Sequence, residues 1–268
     1  MSLRITHNVE ALNSYNSLAK TSAAISKSMQ RLSSGYRINS AADDAAGLGI
    51  SESMRSQIRG LGQAQKNIQD GASMVQTAEG NLDEVHSMLQ RIRELAVQYK
   101  NGSLDNTART SIQNEVDQLA SEITRIGSSA QFNGINLLDS SSTVSFQVGA
   151  NDGQQIGIAL VDLATTVGTS YASLSTSGTT DISEIDLAIT AVSTARASFG
   201  AVQNRLDHSL SVAASYQENL TSAESRIRDV DMADEMVALT KNQILSQAGT
   251  AMLSQANQAP QSVLRLLG

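Results

Sequence analysis

The chain has 268 residues, 40% of them hydrophobic, yet it holds no Trp or Cys, three Phe and five Tyr. A formal charge of −7 argues against a nucleic-acid surface, which needs clustered Lys and Arg to neutralise phosphates. The lack of Cys excludes disulfides, thiolate metal sites and cysteine nucleophiles, and an apolar pool of Ala, Leu, Ile, Val and Met suits close helix packing.

The first segment, 1 to 34, carries Ile5, Val9, Leu12, Leu18, Ile25, Met29 and Leu32 in a narrow apolar stripe, with Gly35 placed to end a helix. Ends of most domains are polar and frayed, so a striped end calls for a partner. Met1-Ser-Leu-Arg-Ile-Thr-His-Asn8 lacks the charged region and apolar core of a secretory signal. No apolar run approaches the roughly 18 residues of a membrane span. The expectation is a soluble chain that, if exported, leaves without a cleaved signal peptide and inserts in no membrane.

After Asp43-Asp44, whose carboxylates suit a helix start, Met54, Leu61, Ile68, Val75, Leu82, Leu89 and Ala96 recur every seven residues. A second row, Ala64, Gly71, Ala78, Val85 and Ile92, follows three behind, which makes a coiled-coil seam. Helical from about 45 to 100, this element is roughly 80 Å long, and Asn101-Gly102 stops it. A further helix is written by Ile112, Val116, Leu119, Ile123 and Ile126, with Gly127-Ser-Ser at its end. The period then changes to two: Val144, Phe146 and Val148, then Ile156, Ile158 and Leu160, around Asn151-Asp152-Gly153, predict a β-hairpin with one apolar face. Residues 164 to 183, rich in Ser, Thr and Gly, read as a surface crossover with little core of its own. Strict sevens return with Ile185, Val192, Phe199, Leu206, Ala213, Leu220 and Ile227. The last segment starts at a candidate N-cap, Asp231, and carries Met232, Met236, Leu239, Leu245, Ala248, Met252, Val263, Leu264 and Leu267. Pro260, the only proline, is expected to bend or restart that helix.

These patterns give a mainly α fold. A long antiparallel coiled-coil helical bundle occupies 45–230, with a β-hairpin region at about 139–162 and the crossover at about 164–183. A terminal two-helix coiled-coil domain pairs 1–44 with 231–268. Nothing catalytic emerges. His7, His86 and His208 are isolated, no His-Glu-x-x-His pair occurs, and no strand precedes Gly47-Leu-Gly49 as a nucleotide loop requires. Asp43 and Asp44 read as helix caps, not as an acid/base pair. No catalytic residue, metal site or cofactor is expected, and the chain reads as a non-enzyme built for assembly.

The run Leu32-Ser-Ser-Gly-Tyr-Arg-Ile-Asn-Ser-Ala-Ala-Asp-Asp-Ala-Ala-Gly-Leu-Gly-Ile-Ser51 closely resembles the N-terminal signature of bacterial flagellins. The resemblance continues in Leu89-Gln-Arg-Ile-Arg-Glu-Leu-Ala-Val-Gln98, in Gln131-Phe-Asn-Gly134 and in Gln243 to Gln258. It covers all but about 139–180, so the large outer domains of many flagellins have no room here. The resemblance implies an extracellular subunit of the flagellar filament used for swimming, a helical polymer exported by the flagellar type III route. Implied partners are identical subunits, the filament cap, the hook-junction proteins and an export chaperone on the C-terminal segment. A hook-filament junction protein is the alternative, which open-ended polymerisation separates.

Subunit assembly is expected to use Ile5, Val9, Leu12, Ile25, Met29, Leu32, Met236, Leu239, Leu245, Met252, Val263, Leu264 and Leu267. Arg37, Asn39, Asp43 and Asp44 form the signature between the two domains. The resemblance also implies two host receptor sites. Gln30 to Ser51 match the epitope of a plant receptor kinase, with Tyr36 and Gly49 departing from the usual side chains. Arg91, Leu95 and Glu115 match the main contacts of the animal Toll-like receptor for flagellin. Because each terminal stripe is narrow, the two end segments are expected to fold only as they add to the filament.

Overall fold

The computed structural model describes residues 8–168, 170–175 and 181–267, and for 170 and 259–267 the backbone alone. Ile5, the side chains of Val263, Leu264 and Leu267, and part of the crossover lie outside the described residues. The elements are α1 (Val9–Ser34), α2 (Ala45–Tyr99), α3 (Asn106–Ser129), β1 (Gln131–Phe132), β2 (Ile135–Asn136), β3 (Thr143–Gln147), β4 (Gln155–Ala159), α4 (Leu163–Val167), α5 (Asp181–Arg228) and α6 (Met232–Leu267). They fall into two compact units, 1–56 with 219–268, and 57–218. Both divisions lie within α2 and α5, not at the helix ends near 44 and 231. Caps and turns mark where backbone hydrogen bonding stops, whereas a unit boundary marks where a continuous helix changes neighbours.

In the 57–218 unit the predicted rows form the core. Leu61, Ala64, Ile68, Val75, Ala78, Leu82, Val85, Leu89, Ile92 and Ala96 of α2 are buried, as are Ile185, Ala188, Val192, Ala195, Phe199, Leu206 and Ala213 of α5. Three polar pairs fix α2 and α5 as antiparallel. Gln65 Nε2 donates to Gln217 Oε1 at 2.7 Å, Arg196 meets Asp83 at 2.8 Å, and Arg93 meets Asp186 at 2.6 Å. One 18-residue window of α5 has a mean hydropathy of 1.2, enough by length and composition for a membrane span; its heptad rows are turned into the bundle instead. Ile112, Val116, Ile123 and Ile126 of α3 complete the seam, and Asp105 caps α3 by accepting the Ala108 N–H at 2.7 Å.

The expected hairpin is β3–β4, with Val144 opposite Ile158 and Phe146 opposite Ile156. Ile156 and Ile158 are buried. Phe146 lies flat against Gly71 of α2, where a Cβ would come within 3.3 Å of its ring. That close approach explains a glycine inside a heptad row. A second hairpin, β1–β2, turns through Asn133 and Gly134, with φ of 49° and 79°. Two positive φ values in succession are what a two-residue hairpin turn needs, and Asn-Gly meets that need.

The crossover differs from expectation. Its described part contains α4 and a short 3₁₀ turn at Ser170–Ala172, and Leu163, Tyr171 and Leu174 are buried. Gln113 of α3 ties it down, donating to the Ala172 carbonyl at 2.7 Å and accepting the Leu174 N–H at 3.2 Å. Polar composition concealed these anchors, because a few apolar residues suffice to seat a short segment.

In the other unit α1 and α6 pack antiparallel. Asn8 lies opposite Ala256, Leu18 opposite Gly249, and Arg31 opposite Glu235. Gly35, in the left-handed region at φ 73°, ends α1 as its C-cap. α6 is helical through Pro260, so the expected bend or restart does not break it.

Candidate functional site

The terminal helices leave many large apolar side chains uncovered among the described residues. α1 spans 26 residues and α6 spans 36, yet among their described side chains the only buried large apolar one is Leu239, at 7% exposure. Ile25 and Leu32 are half-buried. Val9, Leu12 (59%), Met29, Met236, Leu245 and Met252 (63%) are exposed, as is Met232 of the same α6 stripe, and Tyr15, Val237 and Ile244, which the sequence pattern did not single out, are exposed with them. Apolar faces of this extent mark sites of association.

The signature Arg37, Asn39, Asp43 and Asp44 lies in the loop from α1 to α2, inside the unit formed by the chain ends. Tyr36 forms an antiparallel bridge with Asp229, in which the Arg37 N–H donates to the Arg228 carbonyl at 2.7 Å and the Val230 N–H to the Gly35 carbonyl at 3.0 Å. Arg37 Nη2 donates to the Ile227 carbonyl at 2.5 Å. Asn39 Nδ2 donates to Ser34 Oγ at 2.9 Å and to the Tyr36 carbonyl at 3.2 Å. Asp44 caps α2, its Oδ1 accepting the Gly47 N–H at 2.9 Å. Asp43 does something else. One of its oxygens meets Lys27 Nζ at 2.8 Å, and the other accepts the N–H groups of Asn39 and Ser40 at 3.3 and 3.1 Å and the Ser40 hydroxyl at 3.1 Å.

Three partners of this loop had no sequence signal: Lys27, Glu52 and Arg228. Arg228 Nη1 donates to Glu52 Oε1 at 2.6 Å, and its guanidinium lies 4.8 Å above the Tyr36 ring. Glu52 and Arg228 are 176 residues apart, and no local pattern encodes such a pair.

Lys27 holds the Asp43 carboxyl well below its ordinary 3.8, helped by Ser40 and the two backbone N–H groups. Arg228 likewise lowers Glu52 from 4.5. A carboxyl depressed in the folded state stabilises above its unfolded pKa and loses that contribution as the pH falls. The loop is therefore expected to hold above about pH 4 and to loosen as the pH falls below it. Protection of the Ser40 amide against hydrogen exchange reads this directly. Asp43→Asn is expected to flatten the acid dependence, and an unchanged profile would assign it to another group.

Gly47 is closely surrounded. A Cβ there would collide with the Asp44 carboxylate and lie 2.9 Å from Ile38 Cδ1. Gly to Ala ordinarily gains about 1 kcal/mol inside a helix. Gly47→Ala is expected instead to lose about 1 kcal/mol by displacing the cap, seen as a lower thermal midpoint for this unit; a rise would mean that the cap rotates aside freely.

Arg91, Leu95 and Glu115 are not one surface. Arg91 and Glu115 are exposed and paired, with Nε and Nη2 at 3.0 and 2.9 Å from Glu115 Oε1, while Nη1 meets Glu94 at 3.1 Å. Leu95 is 2% exposed, because it lies on the inner side of α2 beside Ala96 and Ile92. Of the three residues expected to contact a receptor, Leu95 is therefore not presented on the surface that Arg91 and Glu115 share. Among the described residues no three His, Asp or Glu converge as metal ligands would.

Comparison with known proteins adds the family context. Residues 5–143 match the bacterial flagellin N-terminal helical region, and 182–267 match the bacterial flagellin C-terminal helical region. The chain is 48% identical to the flagellin of Bacillus subtilis (strain 168) over 303 residues, covering 99% of this chain and 100% of that protein. It is 50% identical to the flagellin of Halalkalibacterium halodurans over 269 residues, covering 98% and 99%. The crystal structure of Bacillus cereus flagellin matches with a TM-score of 0.51 at 30% identity, over 55% of this chain and 88% of that one.

Proposed function

The chain belongs to the bacterial flagellin family, and we propose that its exposed terminal stripes are the surfaces through which it polymerises. It is a structural subunit that self-assembles into the helical flagellar filament of swimming bacteria, outside the cell. The observation that carries the assembly surface is the pairing of two long helices that together bury one large apolar side chain among those described. Isolated helices are marginal in water, and each Leu, Ile or Met covered by a neighbour contributes about 1.5 to 3 kcal/mol before ordering costs. Val9, Leu12, Met29, Met236, Leu245 and Met252 gain that cover from other copies, and the half-buried Ile25 and Leu32 and the buried Leu239 hold the helix pair that presents them.

The same stripe on α6 is the natural seat of an export chaperone before polymerisation, and the filament cap and hook-junction proteins complete the partner set. Arg91 and Glu115 form the exposed part of a host-receptor site on the free subunit. The loop of Arg37, Asn39, Asp43 and Asp44 keeps the start of α2 fixed to the end of α5 while the terminal helices engage their neighbours in the filament.

Seeded polymerisation of purified subunit on short filament fragments, followed by pelleting and electron microscopy, tests the reading. Long hollow filaments are expected. Persistent monomer under all precipitant conditions would instead indicate a junction protein.

A further inference from the structure

Pro260 lies inside α6 (Met232–Leu267), and proline has no backbone N–H. The carbonyl four residues earlier, that of Ala256, therefore lacks the donor that a helix would supply at that point. In this structure it receives another donor, since Asn8 Nδ2 reaches the Ala256 oxygen at 2.8 Å in a part-buried bond. Asn8 is also the N-cap of α1, where its Oδ1 accepts the Ala11 N–H at 3.0 Å. One side chain thus completes two helices. Its acceptor end starts α1, and its donor end fills the gap that Pro260 leaves in α6.

We propose that Asn8 is a positioning residue that locks α1 to α6 in register and lets α6 continue as a helix through Pro260. The chemistry is specific to an amide. Ser and Asp cap a helix about as well as Asn, but an ionised carboxylate has no donor and a Ser hydroxyl is too short to serve both groups. Sliding α1 by one residue would remove the donor from Ala256 and leave a part-buried carbonyl unmatched, which is costlier than losing an exposed bond. The lock also couples the two chain ends: the first turn of α1 and the Ala256–Pro260 turn of α6 are stable together and weak apart. It concerns packing within one chain, and only its readout in filaments rests on the function proposed above.

The test is a double-substitution cycle on the full chain: wild type, Asn8→Ser, Pro260→Ala and the pair. Pro260→Ala restores the missing N–H, so the Asn8 donor becomes redundant. With Pro260 present, Asn8→Ser is expected to raise the critical concentration for seeded growth about tenfold, the loss of one hydrogen bond to a part-buried group. In the Pro260→Ala background it is expected to raise it less than about twofold. Growth of the double variant where Asn8→Ser alone does not grow would also support the lock. Equal fold-changes in both backgrounds, or no effect in either, would overturn it. If wild type itself does not polymerise, the filament reading fails separately. The same four chains are then compared by exchange of the Leu12 amide, which donates to the Asn8 carbonyl at 3.1 Å. The expected pattern is again a large effect with Pro260 and a small one with Pro260→Ala, and equal effects would again overturn the proposal.

Discussion

Leu12→Asp combined with Met252→Asp is expected to abolish polymerisation while leaving the subunit's helical signal and thermal midpoint within error of the parent. Both side chains are exposed in the single chain, at 59% and 63%, and substitutions at such positions usually change stability by less than about 0.5 kcal/mol. If a neighbouring subunit covers them in the polymer, the account changes. Each loses about 1.5 to 3 kcal/mol of apolar burial, and each places a carboxylate in an apolar contact, which adds a desolvation cost. Two such losses raise the critical concentration by more than about a hundredfold. Sedimentation of seeded samples over a range of subunit concentrations reads this. Normal filaments from the double variant would show that these two residues face solvent in the polymer, and the assembly surface would have to be sought on another face of α1 and α6.

Phe199→Ala should do the reverse, damaging the subunit before assembly is reached. Phe199 is 1% exposed, in the heptad row of α5, and truncating a buried Phe to Ala costs about 3 to 5 kcal/mol because the cavity collapses only partly. Domain stabilities are about 5 to 15 kcal/mol, so this is a large share of the total, and for a unit of this size it lowers the midpoint by roughly 10 °C. Leu187, on the same helix but 69% exposed, provides the control: Leu187→Ala should shift the midpoint by a degree or two at most. Calorimetry on the two variants separates burial from helix propensity, because both substitutions install the same good helix former. Similar midpoints would mean that the α5 row does not carry the core.

What the sequence by itself determined was everything written at short range. The rows Leu61 to Ala96 and Ile185 to Ala213 are legible because a heptad repeat on one helix already specifies which face is apolar. Asp44 as a cap, Asn101-Gly102 as a stop and the alternation of β3 and β4 are equally local, each the demand of a few consecutive backbone groups. The Asn133-Gly134 turn was legible in the same way, although in the sequence those residues served only as a family motif. The family itself was legible because its motifs lie in conspicuous runs at both ends of the chain. Tertiary structure decided what depends on residues far apart in the chain. It turned Leu95 inward from a motif that otherwise reads as surface, and it seated Tyr171 and Leu174 under a polar crossover. It gave Asp43 to Lys27, Glu52 to Arg228, and the Asn8 amide to the Ala256 carbonyl. Such partners are matched by the packing of one helix on another, and only folding brings their donors and acceptors within hydrogen-bond distance.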